Sequence, residues 1–166
     1  MKKYLYWLLP FGWMGIIFYS SATPYEQQDI KPLMGSLIDF SLLEPFVGWI
    51  SFNYNHSLVN VDVLGINGFI EFFIRKGAHV TVFFLLVCFL YIAFRKSTDF
   101  RIEIRLIFSF LLTVIYAVLD ELHQGMTPNR TPYAGDVMLD SVGGLLAVFC
   151  IIMINGFGKR RNSAHK

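Results

Sequence analysis

The chain has 166 residues and a net charge of +2, and 55% of its residues are hydrophobic, 17% aromatic and only 16% charged. Soluble domains carry about 25% charged residues, so this composition indicates an integral membrane protein, and the length suits a single domain, residues 1–166. The small net charge, without a basic stripe, argues against a nucleic-acid partner. The first partner expected is therefore the lipid bilayer.

The first apolar run predicts a membrane-spanning helix over about residues 4–21, because residues 4–25 carry no charge. A hydrocarbon core needs about 20 such residues. A cleaved signal peptide is the alternative, since Ser20-Ser21-Ala22 resembles a small-residue cleavage site. Trp7 and Trp13 favour a retained helix, because tryptophan anchors helices at the membrane interfaces.

Residues 26–67 form an outer segment that is apolar and aromatic rather than hydrophilic. It contains Phe46-Val47 and Trp49-Ile50 and is interrupted by prolines. A structureless loop of this length is uncommon in a compact domain. We therefore expect short helices lying on the outer leaflet, followed by a turn at Gly65-Ile66-Asn67-Gly68 into the next span.

Three further spans are predicted, over about 77–94, 104–124 and 137–157. The predicted fold class is all-α: a polytopic membrane protein with four transmembrane helices and additional outer interfacial helices. In the third span the apolar part, Leu106–Leu119, gives only about 21 Å of helix against a hydrocarbon core of about 30 Å. The polar end of that span is therefore expected inside the outer leaflet.

The distribution of basic residues predicts the orientation of these spans. With four spans, ten lysines and arginines fall on the side of the two termini and four fall on the other side. The positive-inside rule places both termini in the cytoplasm. The outer segment and the turn between the last two spans then face outward.

Polar side chains collect where three of the predicted spans reach the outer side. Asp120, His123 and Gln124 share one helical face by their i, i+3 and i+4 spacing, and Asp136 and Asp140 are one turn apart on the next helix. Ionisable groups at membrane depth are costly unless paired, so they indicate a functional site, here one hydrated pocket at the outer mouth of the bundle. The candidate site residues are Arg75, Lys76, His79, Asp120, Glu121, His123, Gln124, Arg130, Asp136 and Asp140.

Metal binding and proton transfer are two kinds of chemistry that the residue types leave open. Imidazole and carboxylate groups are ligands for zinc or manganese, and a histidine beside a carboxylate can also move a proton near neutral pH. The candidates for both, as catalytic residues or as ligands of a divalent metal cofactor, are His79, Asp120, Glu121 and His123. No familiar hydrolase motif is present, so the sequence leaves open whether the protein is an enzyme.

Binding of an anionic ligand is the third kind of chemistry. Arg75, Lys76 and Arg130 are suited to hold a phosphate or a carboxylate. The other ligand-binding candidates are Gln124, Asp136 and Asp140.

A purely structural role for the charges is the alternative. Arg75 could pair with Glu71, and Arg130 with Asp136, so that the pairs only lock the helices together. One or two pairs would be enough for locking, and the chain supplies many more polar groups. This surplus favours a functional pocket.

Several motifs, taken in order along the chain, resemble the VanZ-like family of bacterial membrane proteins. They are Ser20-Ser21 after the first span, Arg75-Lys76-x-x-His79, Asp120-Glu121-x-His123-Gln124, Pro128-x-Arg130, Asp136 and Gly143. The resemblance covers most of the chain, and residues 26–66 are its least characteristic part. Asp140 stands where many relatives have a neutral amide.

The resemblance implies a setting rather than a reaction. The family is named for a member associated with low-level resistance to the glycopeptide antibiotic teicoplanin, which implies the bacterial cytoplasmic membrane near cell-wall precursors. It supplies no settled catalytic residue or cofactor. The expected function is an outward-facing polar pocket that binds, or acts on, a lipid-linked cell-wall precursor, a lipoglycopeptide or another envelope ligand, and that lowers glycopeptide sensitivity.

Two other functions stay open. The first is a non-catalytic envelope scaffold, or a protein that modifies the access of antibiotics. The second is a small transporter, although four helices without repeated halves offer little that could rock against each other.

Overall fold

The computed structural model describes residues 2–28, 30–31, 39–128 and 130–163. In this part of the chain the fold is nearly all-α, with one small hairpin. The elements in chain order are a 3-10 helix Lys2–Trp7, α1 Leu8–Ser21, two 3-10 helices Tyr25–Gln28 and Phe40–Leu43, α2 Glu44–Val47, β1 Phe52–Tyr54, β2 Ser57–Val59, α3 Val61–Ser97, α4 Ile102–Gln124 and α5 Ala134–Ser163.

Three helices within the described residues are long and apolar enough to cross a membrane. They are α3, α4 and the part of α5 that covers Ala134–Gly156. The first predicted span, about 4–21, falls on the 3-10 helix and on α1, which has only 14 residues. Helices able to span a membrane are therefore present at the second, third and fourth predicted spans, and the first predicted span is not among the three.

The helices alternate in direction. Lys76 pairs with Asp136 and His79 with Asp140, at separations of 60 and 61 residues, so α3 and α5 run parallel. Helix α4 connects them in the opposite direction. Helix α1 is held beside α3 by the indole nitrogen of Trp13, which donates to the carbonyl oxygen of Val82 over 3.0 Å.

The core of the bundle lies between α3 and its neighbours. Leu86, Val87 and Ala117 are fully buried there. At Gly143 the backbones of α5 and α3 approach so closely that a Cβ atom would lie 2.3 Å from the carbonyl oxygen of Val80. A glycine is therefore required at this crossing, because any side chain would push the two helices apart.

The outer segment contains short helices, as expected, and also a β-hairpin that was not anticipated. Strands β1 and β2 pair antiparallel, with Tyr54 opposite Ser57. The two turn residues, Asn55 and His56, both have positive φ, which is the backbone of a two-residue hairpin turn. The sequence signal was weak because the turn is Asn-His and lacks the glycine that usually marks a two-residue hairpin turn.

Helix α3 begins before the span predicted at about 77–94. The Asn60 side chain caps it by accepting from the backbone N–H of Val63 over 2.9 Å. The predicted turn at 65–68 corresponds to Gly65, whose φ of 66° interrupts the helix. The polar residues that follow Gly65 are therefore carried on a continuous helix into the bundle.

Candidate functional site

A cavity of about 580 Å³ lies at the end of the bundle where α1 and α4 end and α5 begins. Helix α3 supplies its longest wall, and the cavity is also bordered by Gln28, Ile30, Lys31, Arg130 and Thr131. Eight of the ten predicted site residues line it: Arg75, Lys76, His79, Asp120, Glu121, Gln124, Arg130 and Asp136. The structure thus brings together predicted site residues from three helices and one connecting segment.

Two arginines converge on one neutral oxygen in this cavity. Arg130 donates from Nη2 to Oε1 of Gln28 over 2.7 Å, and Arg75 donates from Nη2 to the same oxygen over 3.3 Å. Arg130 also donates from Nη1 to Oε1 of Gln124 over 3.0 Å. Burial, together with the nearby Arg75 guanidinium, lowers the pKa of Arg130, but an arginine side chain stays charged in proteins. Two guanidinium groups therefore share the amide oxygen of Gln28.

Two buried carboxylates lie beside the arginines at the end of α4. Asp120 accepts from Nε2 of Gln124 over 2.8 Å through Oδ2, and Glu121 accepts from the backbone N–H of Tyr133 over 2.6 Å through Oε1. Both residues are at least nine-tenths buried. Among the described residues Oδ1 of Asp120 and Oε2 of Glu121 have no hydrogen-bond partner, so each can accept a further donor.

Lys76 is engaged by a carboxylate rather than turned toward the arginines. Its Nζ lies 2.5 Å from Oδ1 of Asp136, and it sits over the ring of Tyr54, 4.5 Å from the centroid. The hydroxyl of Tyr54 also donates to Asp136. Burial raises the pKa of Tyr54, and the Asp136 carboxylate adds to the effect, so the phenol keeps its proton. These three side chains fasten the hairpin to α3 and α5.

One of the two predicted ion pairs is present and the other is replaced. Arg75 lies 3.6 Å from Glu71 one turn earlier on α3, as predicted. Arg130 bonds to the two glutamines, whereas Asp136 is held by Lys76. The predicted pair of Arg130 with Asp136 is wrong. Lys76, on the adjacent parallel helix, is the cation that pairs with the Asp136 carboxylate.

His79 lines the cavity, and Asp140 lies behind it. Nδ1 of His79 is 3.2 Å from Oδ1 of Asp140, which is 1% exposed. Asp140 does not line the cavity, so its contact with the site runs through His79. A carboxylate on one ring nitrogen fixes the orientation of the imidazole and leaves the other nitrogen for a proton or a ligand.

His123 is outside the cavity lining, although it was predicted as a site residue. Its ring stacks on Phe18 of α1, with centroids 4.0 Å apart and an angle of 8° between the planes. Because successive helical residues turn by about 100°, Gln124 lies about 40° from Asp120 in the direction of Glu121, whereas His123 lies about 60° away in the opposite direction. The i+3 spacing therefore turns His123 toward α1.

The metal hypothesis has little geometric support. Within residues 2–28, 30–31, 39–128 and 130–163, no group of three His, Cys, Asp or Glu side chains is arranged to hold a metal ion. Of the candidate ligands, His79, Asp120 and Glu121 line the cavity and His123 does not. Cys88, which is partly buried, and Cys150, which is exposed, are free thiols.

Gln28 and Tyr54 are site residues that the sequence did not reveal. Gln28 follows the first helix in a 3-10 turn, where its Nε2 also donates to the carbonyl oxygen of Ser20 over 2.7 Å. Tyr54 reaches the site only because the hairpin folds back onto α3. Both belong to the outer segment, where no periodicity indicated which side chains face inward.

Comparison with known proteins identifies the family of this chain. The family described as VanZ/LLP1 has a model that matches residues 6–155. No curated protein and no solved structure gives a significant match to the chain. The family match covers nearly the whole chain, including every residue that lines the cavity. The chain therefore belongs to the VanZ/LLP1 family.

Proposed function

We propose that this membrane protein binds, through its polar cavity, the anionic group of a lipid-linked or envelope-associated ligand. The main support for this proposal is that Arg75 and Arg130 both donate a hydrogen bond to Oε1 of Gln28. A phosphate or carboxylate can accept from two guanidinium groups at once, and such charge-assisted bonds are stronger than bonds to a neutral amide. The glutamine oxygen marks where an oxygen of the ligand would sit.

The second half of the recognition comes from the carboxylates. Asp120 and Glu121 each present one oxygen that no described residue satisfies. A ligand hydroxyl or amine would satisfy them, and a phosphate by itself would not. Any proton transfer in the cavity falls to these two carboxylates and to His79, which the Asp140 carboxylate orients.

We place the cavity on the outer face of a bacterial cytoplasmic membrane. This arrangement has four spans, with α1 and its preceding 3-10 helix as the first, and both termini in the cytoplasm. The excess of basic residues on the side of the termini supports it through the positive-inside rule. The family's association with teicoplanin resistance supports an envelope ligand and a lowered glycopeptide sensitivity.

Labelling of single cysteines tests this orientation. In a variant without Cys88 and Cys150, Met126→Cys, at an 82% exposed position, should react with a membrane-impermeant maleimide added outside. Asp99→Cys, between α3 and α4, is the matched control and should react only after the membrane is opened. The reverse pattern would contradict the proposed orientation.

Analysis of copurifying molecules tests the proposed binding. Protein extracted in mild detergent should carry an anionic lipid or lipid-linked species that native mass spectrometry detects. Arg130→Gln should lose about nine-tenths of it, since losing a charge-assisted contact costs roughly tenfold in affinity. Arg95→Gln, an exposed arginine at the opposite end of α3, should retain it. Equal retention by both variants would refute the proposal.

A non-catalytic scaffold remains a second candidate because of one exposed apolar surface. Phe46 and Trp49, in and just after α2, are 73% and 80% exposed, which suits insertion into the interface of a membrane or contact with an envelope partner. If scaffolding is the function, Phe46→Ser with Trp49→Ser should abolish the glycopeptide phenotype while Arg130→Gln leaves it intact. The opposite result favours the cavity.

A further inference from the structure

The cavity is a groove between α1 and α3. Along both walls the lining residues change from polar at the mouth to apolar deeper in the bundle. On α1 the lining begins with Ser21 and Ser20 and continues with Ile17 and Ile16. These positions share one helical face by their spacing. The α1 wall is thus polar at the mouth of the cavity and apolar deeper in the bundle.

The opposite wall shows the same gradient along α3. Glu71 and Arg75 stand at the mouth, followed along the same helical face by Ala78 and Val82. Helices α3 and α1 run antiparallel. Toward the deep end of the cavity the residue numbers therefore increase along α3 and decrease along α1. Val82 lies about 10 Å along the helix from Arg75, and Lys76 and His79 line the cavity between them beside Ala78.

The groove closes at its deep end and opens on its side. Trp13 bridges the two walls through its hydrogen bond to the carbonyl oxygen of Val82. By contrast, Ile16 and Ile74 line the groove and are still 58% and 47% exposed. Such side chains at membrane depth face acyl chains. In the proposed four-span arrangement the flank of the groove would therefore open toward the hydrocarbon of the bilayer.

We infer that the ligand of this cavity is a membrane lipid that enters sideways between α1 and α3, with its anionic headgroup at the two arginines and an acyl chain along Ile16 and Ala78. This inference rests on the proposed function and deepens it. A soluble phosphate satisfies only the charged mouth, whereas an amphiphile matches the polar and the apolar parts together. The hydrogen bonds that Arg75 and Arg130 can donate favour an acidic headgroup, and the apolar walls favour an acyl chain.

Two probes with the same headgroup chemistry separate a lipid from a soluble anion. The purified full-length protein in detergent is titrated with lysophosphatidic acid and with glycerol 3-phosphate, which lacks the acyl chain. The lipid should bind at least roughly tenfold more tightly, because each methylene buried in the groove adds to the affinity. Arg130→Gln should weaken the binding of both probes.

Filling the groove tests the position of the acyl chain. Ile16→Trp and Ala78→Trp should lower the affinity for lysophosphatidic acid at least roughly fivefold and leave that for glycerol 3-phosphate unchanged, since a larger side chain takes the volume of the chain. Leu9→Trp, at an exposed position of α1 outside the groove, is the matched control. If Ala78→Trp does not accumulate in the membrane, Ala78→Leu replaces it.

The outcomes distinguish the two levels of the proposal. If glycerol 3-phosphate binds as tightly as the lipid, or if the tryptophan variants bind both probes normally, the sideways entry is wrong and the anion site stands. If neither probe binds to the folded protein, the anion site and the lipid groove both fail. Preferential lipid binding that only the groove variants and Arg130→Gln weaken supports the inference.

Discussion

Gln28 and Arg130 are joined by a 2.7 Å hydrogen bond that links the segment after α1 to the segment before α5. The two residues are 102 positions apart in the chain. Their contact brings the first and last helical regions to one point. It also puts a neutral acceptor where a charged ligand would be expected, which makes Gln28 the most informative residue to change.

Gln28→Glu should stabilise the protein and block its site. A carboxylate at this position would form charge-assisted bonds with Arg75 and Arg130, raising the free energy of unfolding by about 1–3 kcal/mol. The same charge would compete with an anionic ligand, so its retention should fall about tenfold. Thermal unfolding in detergent and native mass spectrometry measure the two effects.

The control for this change is Gln27→Glu, at the exposed neighbouring position. It should alter neither the thermal midpoint nor the bound ligand. A Gln28→Glu variant that retains the ligand at the wild-type level would show that the arginines do not bind it.

His123→Phe should leave ligand binding unchanged. The stack on Phe18 is aromatic, and phenylalanine can preserve it. Since His123 does not line the cavity, the copurifying ligand and the affinity for an anionic probe should match those of the wild type. Loss of binding in a stable His123→Phe protein would mean that the imidazole reaches the ligand after all.

Lys76 and Asp136 should show strong coupling. Lys76→Met or Asp136→Asn should each lower the free energy of unfolding by about 1–3 kcal/mol, because the partner is left partly buried and unpaired. The double variant should cost less than the sum of the two by about 1 kcal/mol. Denaturant unfolding of all four proteins measures this difference.

The matched control is Lys96→Met, an exposed lysine at the other end of α3 that lies over the ring of Tyr6. Its effect should stay within about 0.5 kcal/mol. Simple additivity of the Lys76 and Asp136 changes would contradict a direct ion pair.

Gly143→Ala should destabilise the contact between α3 and α5. The added methyl group would meet the carbonyl oxygen of Val80 at 2.3 Å, so the helices must separate, at a cost of about 1–3 kcal/mol. Gly156→Ala, with nothing within 4 Å of the added atom, should be neutral or slightly stabilising. Equal thermal midpoints for the two variants would argue against this close approach.

The amino-acid sequence alone was enough for the class of protein, the family and eight of the residues that line the cavity. Composition and long apolar runs indicate membrane helices, because an unbroken apolar stretch has few other stable environments. Charged residues such as Arg75 and Asp120 were recognisable as candidates because their burial is costly. The spacing of residues along the chain therefore predicted which side chains share a face wherever the chain is helical.

The tertiary structure decided which of those residues meet. Spacing along α4 grouped His123 with Asp120, but the packing of α1 turned the ring onto Phe18. Gln28 and Tyr54 entered the site through a 3-10 turn and a hairpin, where side-chain direction follows no helical period. Partners that are 60 to 102 residues apart are chosen by how helices pack, and no local pattern encodes that choice.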